Sequence, residues 1–135
     1  MAGTVQFSLV SPERKLASAP ATEVMIPATD GDMTAMEGHA ATITTLRPGL
    51  LRAVTTEGVR SFVVTGGFAE ISAASVTVLA ERAIPADEAT GTVLDDILAE
   101  ARSLAAAALP ENRDVADKAV ADVTALRDAV LAHHG

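Results

Sequence analysis

His39 is the only histidine of this 135-residue chain outside its last three positions, and Asp30, Asp32 and Glu37 stand within nine residues of it. An imidazole beside carboxylates is the raw material of a general base or a divalent-metal site. The spacing supports neither. "TDGD" begins like a calcium loop, but the further acidic ligands and the closing Glu of that motif are missing. No serine–histidine–aspartate set sits at a strained turn, and the chain has no cysteine, which removes thiolate zinc sites and disulfides together. Gly66-Gly67 is followed by neither Lys-Ser/Thr nor a helix that would offer amide donors, so it reads as a corner between strands. His133 and His134 read as a solvated chain end. The expectation is a protein without catalytic residues, metal or cofactor, in which the His39 ring bonds neighbouring backbone in a surface turn.

Composition narrows the partners. Hydrophobic residues make up 49% of the chain and aromatic residues only 2%, so the core must be built from Val, Leu, Ile, Ala and Met. Few aromatics leave no platform for stacking nucleobases. A formal charge of −8 opposes binding to a phosphate backbone, so nucleic acid is excluded as a partner. No apolar run approaches the ~18–20 residues of a membrane-spanning helix. "MAGTVQFSLVSPERK" has neither the charged start and apolar middle of a signal peptide nor the Arg/Ser richness of a transit peptide. Any membrane association is therefore expected to be indirect.

The elements that must position these residues change character at Pro85. Before it, "VQFSLV" alternates, with Val5, Phe7 and Leu9 on one face. "EVMIP", "ATITTL", "GLLRAVT", "RSFVVTGG", "FAEISAA" and "SVTVLAERAI" follow as short β-branched runs separated by turn signals. Evenly punctuated strands of this kind predict an antiparallel β-sandwich or flattened barrel over residues 1–85. Over 86–135 alanine dominates. Val93, Leu94, Ile97, Leu98, Ala101, Leu104, Ala105 and Ala108 form one helical stripe, with Asp87 and Glu88 at its N-terminus. Pro110-Glu111-Asn112-Arg113 breaks it, and Val115, Ala119, Val120, Val123, Leu126 and Val130 form a second. Two helices joined by a short loop predict an antiparallel hairpin. Residues 1–84 carry eight acids and six bases, and residues 85–135 carry ten acids and four bases, so the hairpin holds most of the negative charge.

The layout, together with "FSLVSPERKL" (Phe7–Leu16), "EGHAATITTLRPGLL" (Glu37–Leu51) and "VTGGFAEISAASVTVLAERAI" (Val64–Ile84), resembles the epsilon subunit of bacterial F-type ATP synthases along the whole chain. The resemblance implies a non-catalytic central-stalk subunit, peripheral on the cytoplasmic face of the bacterial inner membrane. It would grip the gamma subunit, rest on the polar loops of the membrane c-ring, and couple proton-driven rotation to the catalytic head. The family's ring-facing positions fall on Asp32, Met33, Met36, Glu37 and His39, with Asp32 facing a basic ring loop and the methionines exposed. Its gamma-facing positions fall on Val64, Gly66, Gly67 and Phe68.

The chain departs from that family in specific places. Glu37 and Ala41 replace the prolines that bracket Gly-His-Ala, which predicts a less rigid loop, and Ala28 stands where glycine is usual. The family's nucleotide motif, Leu/Ile-Asp-x-x-Arg-Ala, is degraded: "LDDILA" (Leu94, Asp95, Leu98, Ala99) has Leu98 in place of the arginine, and ungapped counting puts "ATGTVL" there instead. Weak or absent ATP binding follows. In inhibitory members, basic residues of the last helix meet an acidic loop of the alpha/beta head. Here residues 114–133 set four acids against Lys118 and Arg127, so this hairpin is expected to inhibit poorly. The competing readings are an unrelated β-sandwich binding module capped or oligomerised by its hairpin, and a small metal-dependent enzyme built on His39.

Overall fold

The computed structural model describes the backbone of residues 3–134 and side chains through Ala132, so the terminal histidine side chains lie outside the described set. The chain divides into two compact units, the first ending at Ala86 and the second beginning at Asp87.

The first unit is a β-sandwich. Its strands are β1 (Val5–Val10), β2 (Lys15–Ala28), β3 (Gly31–Met36), β4 (Thr42–Thr45), β5 (Gly49–Thr55), β6 (Gly58–Val64), β7 (Gly67–Ile71), β8 (Ser75–Ala80) and β9 (Ala83–Pro85). They hydrogen-bond in the order β4-β7-β8-β1-β2-β5-β6-β9, and β3 pairs with β2. Pairing is antiparallel except between β1 and β8. The 14-residue β2 joins the two layers: its first half pairs with β1 and its second half with β3 and β5. Two strand segments lie outside the runs expected from the sequence. In "GDMTAM" the Gly, Asp and two Met hide the alternation, yet Ala35 is fully buried and Asp32, Thr34 and Met36 face outward. The polar start of β2, "KLASAPAT", contains a proline and few β-branched residues, and the long ladder with β1 overrides that propensity.

Alternation decides what fills the interior. Val5, Phe7 and Leu9 point inward as expected, joined by Val24, Ile26, Leu51, Phe62, Val64, Val76 and Val78. Two of the three phenylalanines meet here, Phe7 and Phe62, with ring centroids 6.4 Å apart and tilted by 45°. Gly66 and Gly67 both have positive φ, and a Cβ on Gly67 would overlap the Leu79 carbonyl oxygen. The β6–β7 corner thus requires glycine both for conformation and for close backbone approach.

The second unit is a helical hairpin of α1 (Gly91–Ala107) and α2 (Arg113–His134), joined through a 3₁₀ turn at Pro110–Asn112. α1 starts later than the charge pattern suggests. Asp87 and Glu88 lie in a separate 3₁₀ turn, and Thr90 caps the helix by accepting from the Val93 amide. Buried apolar residues are confined to the open end of the hairpin: Leu94, Ile97 and Leu98 on α1, and Val123, Leu126 and Val130 on α2. The expected stripes run further than the burial does, since Leu104 and Val115, near the loop, are exposed.

Candidate functional site

The segment around His39 is a turn held by local bonds. Gly38, at φ +84°, donates its amide to the Ala73 carbonyl, and the His39 amide donates to Met36. His39 Nδ1 donates to the Ala40 carbonyl at 2.7 Å, and Thr42 Oγ1 donates to the same oxygen. These bonds supply part of the restraint that two prolines would have given. The Glu37 carboxylate lies against the Cα of Gly3, where any side chain would overlap it. Among the described residues no group of three His, Cys, Asp or Glu side chains comes together.

The five positions assigned to a ring contact do not form one cluster. Asp32 and Glu37 flank most of β3 and are separated along the strand by roughly 17 Å at 3.3 Å per residue. Met33 is not exposed, because it sits on the inward face and packs against the sandwich core. Asp32, Thr34 and Met36 share the outward face, where Met36 is 51% exposed. Asp32 is also not a free carboxylate: it is paired with Arg47, whose other terminal nitrogen donates to the Ala28 carbonyl at 2.6 Å. Arg47 belongs to the "TLRPG" run, and its role here was not read from the sequence. An arginine beside Pro-Gly, within reach of an acidic turn, was the available signal.

The four positions assigned to a gamma contact change more. Val64 is fully buried, so its side chain reaches no partner, and Gly66 and Gly67 serve the corner. Phe68 is outward and partly exposed. Register then supplies the residues that the sequence reading missed. Phe68 stands between Thr45 of β4 and Leu79 of β8, and Leu79 pairs onward with Val10 of β1. Ile43 stands opposite Glu70 on the same outer face. Ile43, Phe68 and Leu79 are large exposed apolar residues, with Ile43 at 70%. Beside them an open groove of about 530 Å³ is lined by Thr42, Ile43, Glu70, Ser72, Ser75 and Thr77 among others. Strand alternation could have revealed them: Val76 and Val78 point in, so Leu79 points out. The face offers apolar contact ringed by hydroxyl groups, which is the chemistry of a protein-binding surface.

In the hairpin, Asp95 lies opposite Arg127 of α2, and Leu94 and Leu98 are buried. The segment that would carry a nucleotide motif is therefore occupied by helix packing and an ion pair. No helix among the described residues is long and apolar enough to cross a membrane.

Comparison with known proteins agrees with this arrangement. Residues 4–86 match the family model for the ATP synthase delta/epsilon chain β-sandwich domain. The chain is 65% identical over 127 residues to ATP synthase epsilon chain 1 of Cereibacter sphaeroides, covering 94% of this chain and 96% of the relative. It is 59% identical over 129 residues to the epsilon chain of Fuscovulum blasticum, covering 96% and 98%. A chain in the cryo-EM structure of the Euglena gracilis mitochondrial ATP synthase, with OSCP, F1 and c-ring, shares the fold at a TM-score of 0.72 and 24% identity, over 96% of this chain and 82% of its own length. This β-sandwich with its helical pair is a member of the ATP synthase epsilon-chain family.

Proposed function

We propose that this chain is a non-catalytic rotor subunit of a bacterial F-type ATP synthase that couples c-ring rotation to the catalytic head through gamma. The observation that carries the reading is the outer face of β4-β7-β8. Phe68 and Leu79 pair across β7 and β8, whose alternate residues fill the core, and Ile43 of the neighbouring β4 is exposed on the same side. Exposed apolar side chains on a rigid sheet suit a permanent partner, and gamma is the partner assigned to them. The β2–β3 turn and the outward edge of β3, with Asp32, Met36, Glu37 and the His39 turn, form the proposed c-ring contact. Met33 contributes from within as packing. The subunit then sits peripherally at the cytoplasmic face of the inner membrane, held there by its partners.

The hairpin has a minor regulatory role in this reading. Its nucleotide motif lacks the arginine, and α2 is acidic where a basic surface would be needed to meet an acidic loop of the alpha/beta head. Its two helices stay paired and inhibition of hydrolysis is weak.

The test uses the absence of native cysteine. Single cysteines at Ile43 and Phe68 are expected to crosslink to gamma in the assembled enzyme, and a cysteine at Met36 to the polar loop of the ring. Crosslinks from Ile43 and Phe68 to the ring instead, or none to gamma, would overturn the assignment of faces.

A further inference from the structure

The β2–β3 turn is tied to the end of β4 and the β4–β5 connection by more than its own ladder. Thr29 donates its amide to the Thr45 carbonyl at 3.0 Å, and its hydroxyl reaches the same oxygen at 3.1 Å. Arg47 donates its amide to the Pro27 carbonyl at 3.0 Å. Gly49 lies so close beneath that a Cβ on it would come within 2.6 Å of the Pro27 ring. These contacts fix the base of the turn. One group spans its far side: the Arg47 guanidinium, which bonds the Ala28 carbonyl with one nitrogen and Asp32 with the other.

We propose that Arg47 is the positioning residue of the β2–β3 turn, holding Ala28 and Asp32 together so that the turn meets its partner in one geometry with Asp30 as its free acid. The planar guanidinium carries two terminal nitrogens that can serve two acceptors at once, which a lysine ammonium on a flexible stem does poorly. The Asp32 side chain is 78% exposed and that of Arg47 25%. A pair so open to water contributes little to stability, so its effect falls on where the turn points. With Asp32 engaged, Asp30 is exposed and has no hydrogen bond or ion pair among the described residues. This deepens the proposed ring contact and rests on it: a basic partner loop meets Asp30 directly, and Asp32 acts through the shape it gives the turn.

Two measurements on the full chain separate the parts. First, a nitroxide on Asp30→Cys reports turn mobility in the purified chain. R47A and D32N are expected to raise the mobile fraction about two-fold or more, and R47K to restore part of the native signal. Second, unlabelled chains are titrated into ATP synthase stripped of this subunit, reading the concentration that half-restores ATP-driven proton pumping. R47A and D30N are expected to raise that concentration about two- to five-fold, with R47K in between and the D30N loss shrinking at high salt. Unchanged mobility in R47A overturns the positioning role and leaves the ring contact standing. Increased mobility in R47A with unaltered titrations for both R47A and D30N overturns the docking role of the turn, and the ring contact with it.

Discussion

Nε of Arg127 in α2 lies 2.7 Å from Oδ1 of Asp95 in α1, an ion pair that crosses the hairpin at the end where its apolar residues are buried. The Nε atom is buried and lacks an aligned hydrogen-bond acceptor, so the contact is one of charge rather than a directed bond. Asp95 is the acid of "LDDILA", the stretch nearest in pattern to the family's nucleotide motif, and Arg127 engages it across the hairpin. An ion pair of this exposure contributes on the order of 0.3–1 kcal/mol. A double-mutant cycle with D95N and R127Q, followed by chemical denaturation of the full chain, is expected to return a coupling in that range. Strict additivity would show that the pair does not hold the helices.

The same geometry bears on nucleotide. With Leu98 buried where an arginine would reach outward, the "LDDILA" stretch supplies no guanidinium of its own, and Arg127, the arginine beside Asp95, is already engaged. Calorimetric titration with Mg-ATP is expected to show no saturable binding below about 1 mM, an affinity of roughly −4 kcal/mol or weaker. A micromolar dissociation constant would contradict this.

Gly67 and Gly58 provide a contrast within one fold. Both have positive φ, but a Cβ on Gly67 overlaps the Leu79 carbonyl, whereas a Cβ on Gly58 meets open space. Gly58→Ala is expected to cost about 1 kcal/mol from conformation alone. Gly67→Ala adds displacement of the β7–β8 ladder and should cost roughly 2–4 kcal/mol. Thermal unfolding of the two variants compares them directly, and equal losses would mean that the corner is not tightly packed.

Val64 and Phe68 separate stability from binding in a similar way. Val64→Ala empties part of the core and is expected to destabilise by roughly 1–3 kcal/mol while leaving the outer face unaltered. Phe68→Ala removes a partly exposed ring, with a stability change of about 1 kcal/mol or less, and should reduce co-purification with gamma. The reverse pattern would return the contact to the Val64 strand end.

Much of this was legible in the sequence because strand alternation and helix periodicity are local. Val5, Phe7 and Leu9 announce a strand by themselves, and Pro110 announces a break between helices. What stayed hidden depends on pairing across the chain. β3 emerges only because β2 offers it a ladder, and the outer apolar face exists only once Ile43, Phe68 and Leu79 are brought into register from three strands. Arg47 and Asp32 are fifteen residues apart, and their meeting is set by the turn at Asp30-Gly31. The His39 turn, by contrast, is built from residues 36–42 with one bond to Ala73, and its ring-to-backbone bond could be read from the stretch itself.

The weak inhibition proposed for the hairpin rests on charge. Removal of the hairpin by truncation after Ala86 is expected to raise ATP hydrolysis of the assembled enzyme by less than about two-fold, since an acidic α2 meets an acidic loop unfavourably. An increase of ten-fold or more would show that the hairpin is a strong inhibitor despite its charge.

The central claim is coupling. ATP-driven proton pumping, measured per ATP hydrolysed in inverted membrane vesicles whose ATP synthase has been stripped of this subunit, tests it most directly. Adding back the purified chain is predicted to restore pumping in a saturable manner, and the variant Ile43→Asp/Phe68→Asp is predicted to fail while remaining folded. Full pumping without the chain, or no recovery when it is added, would contradict the account.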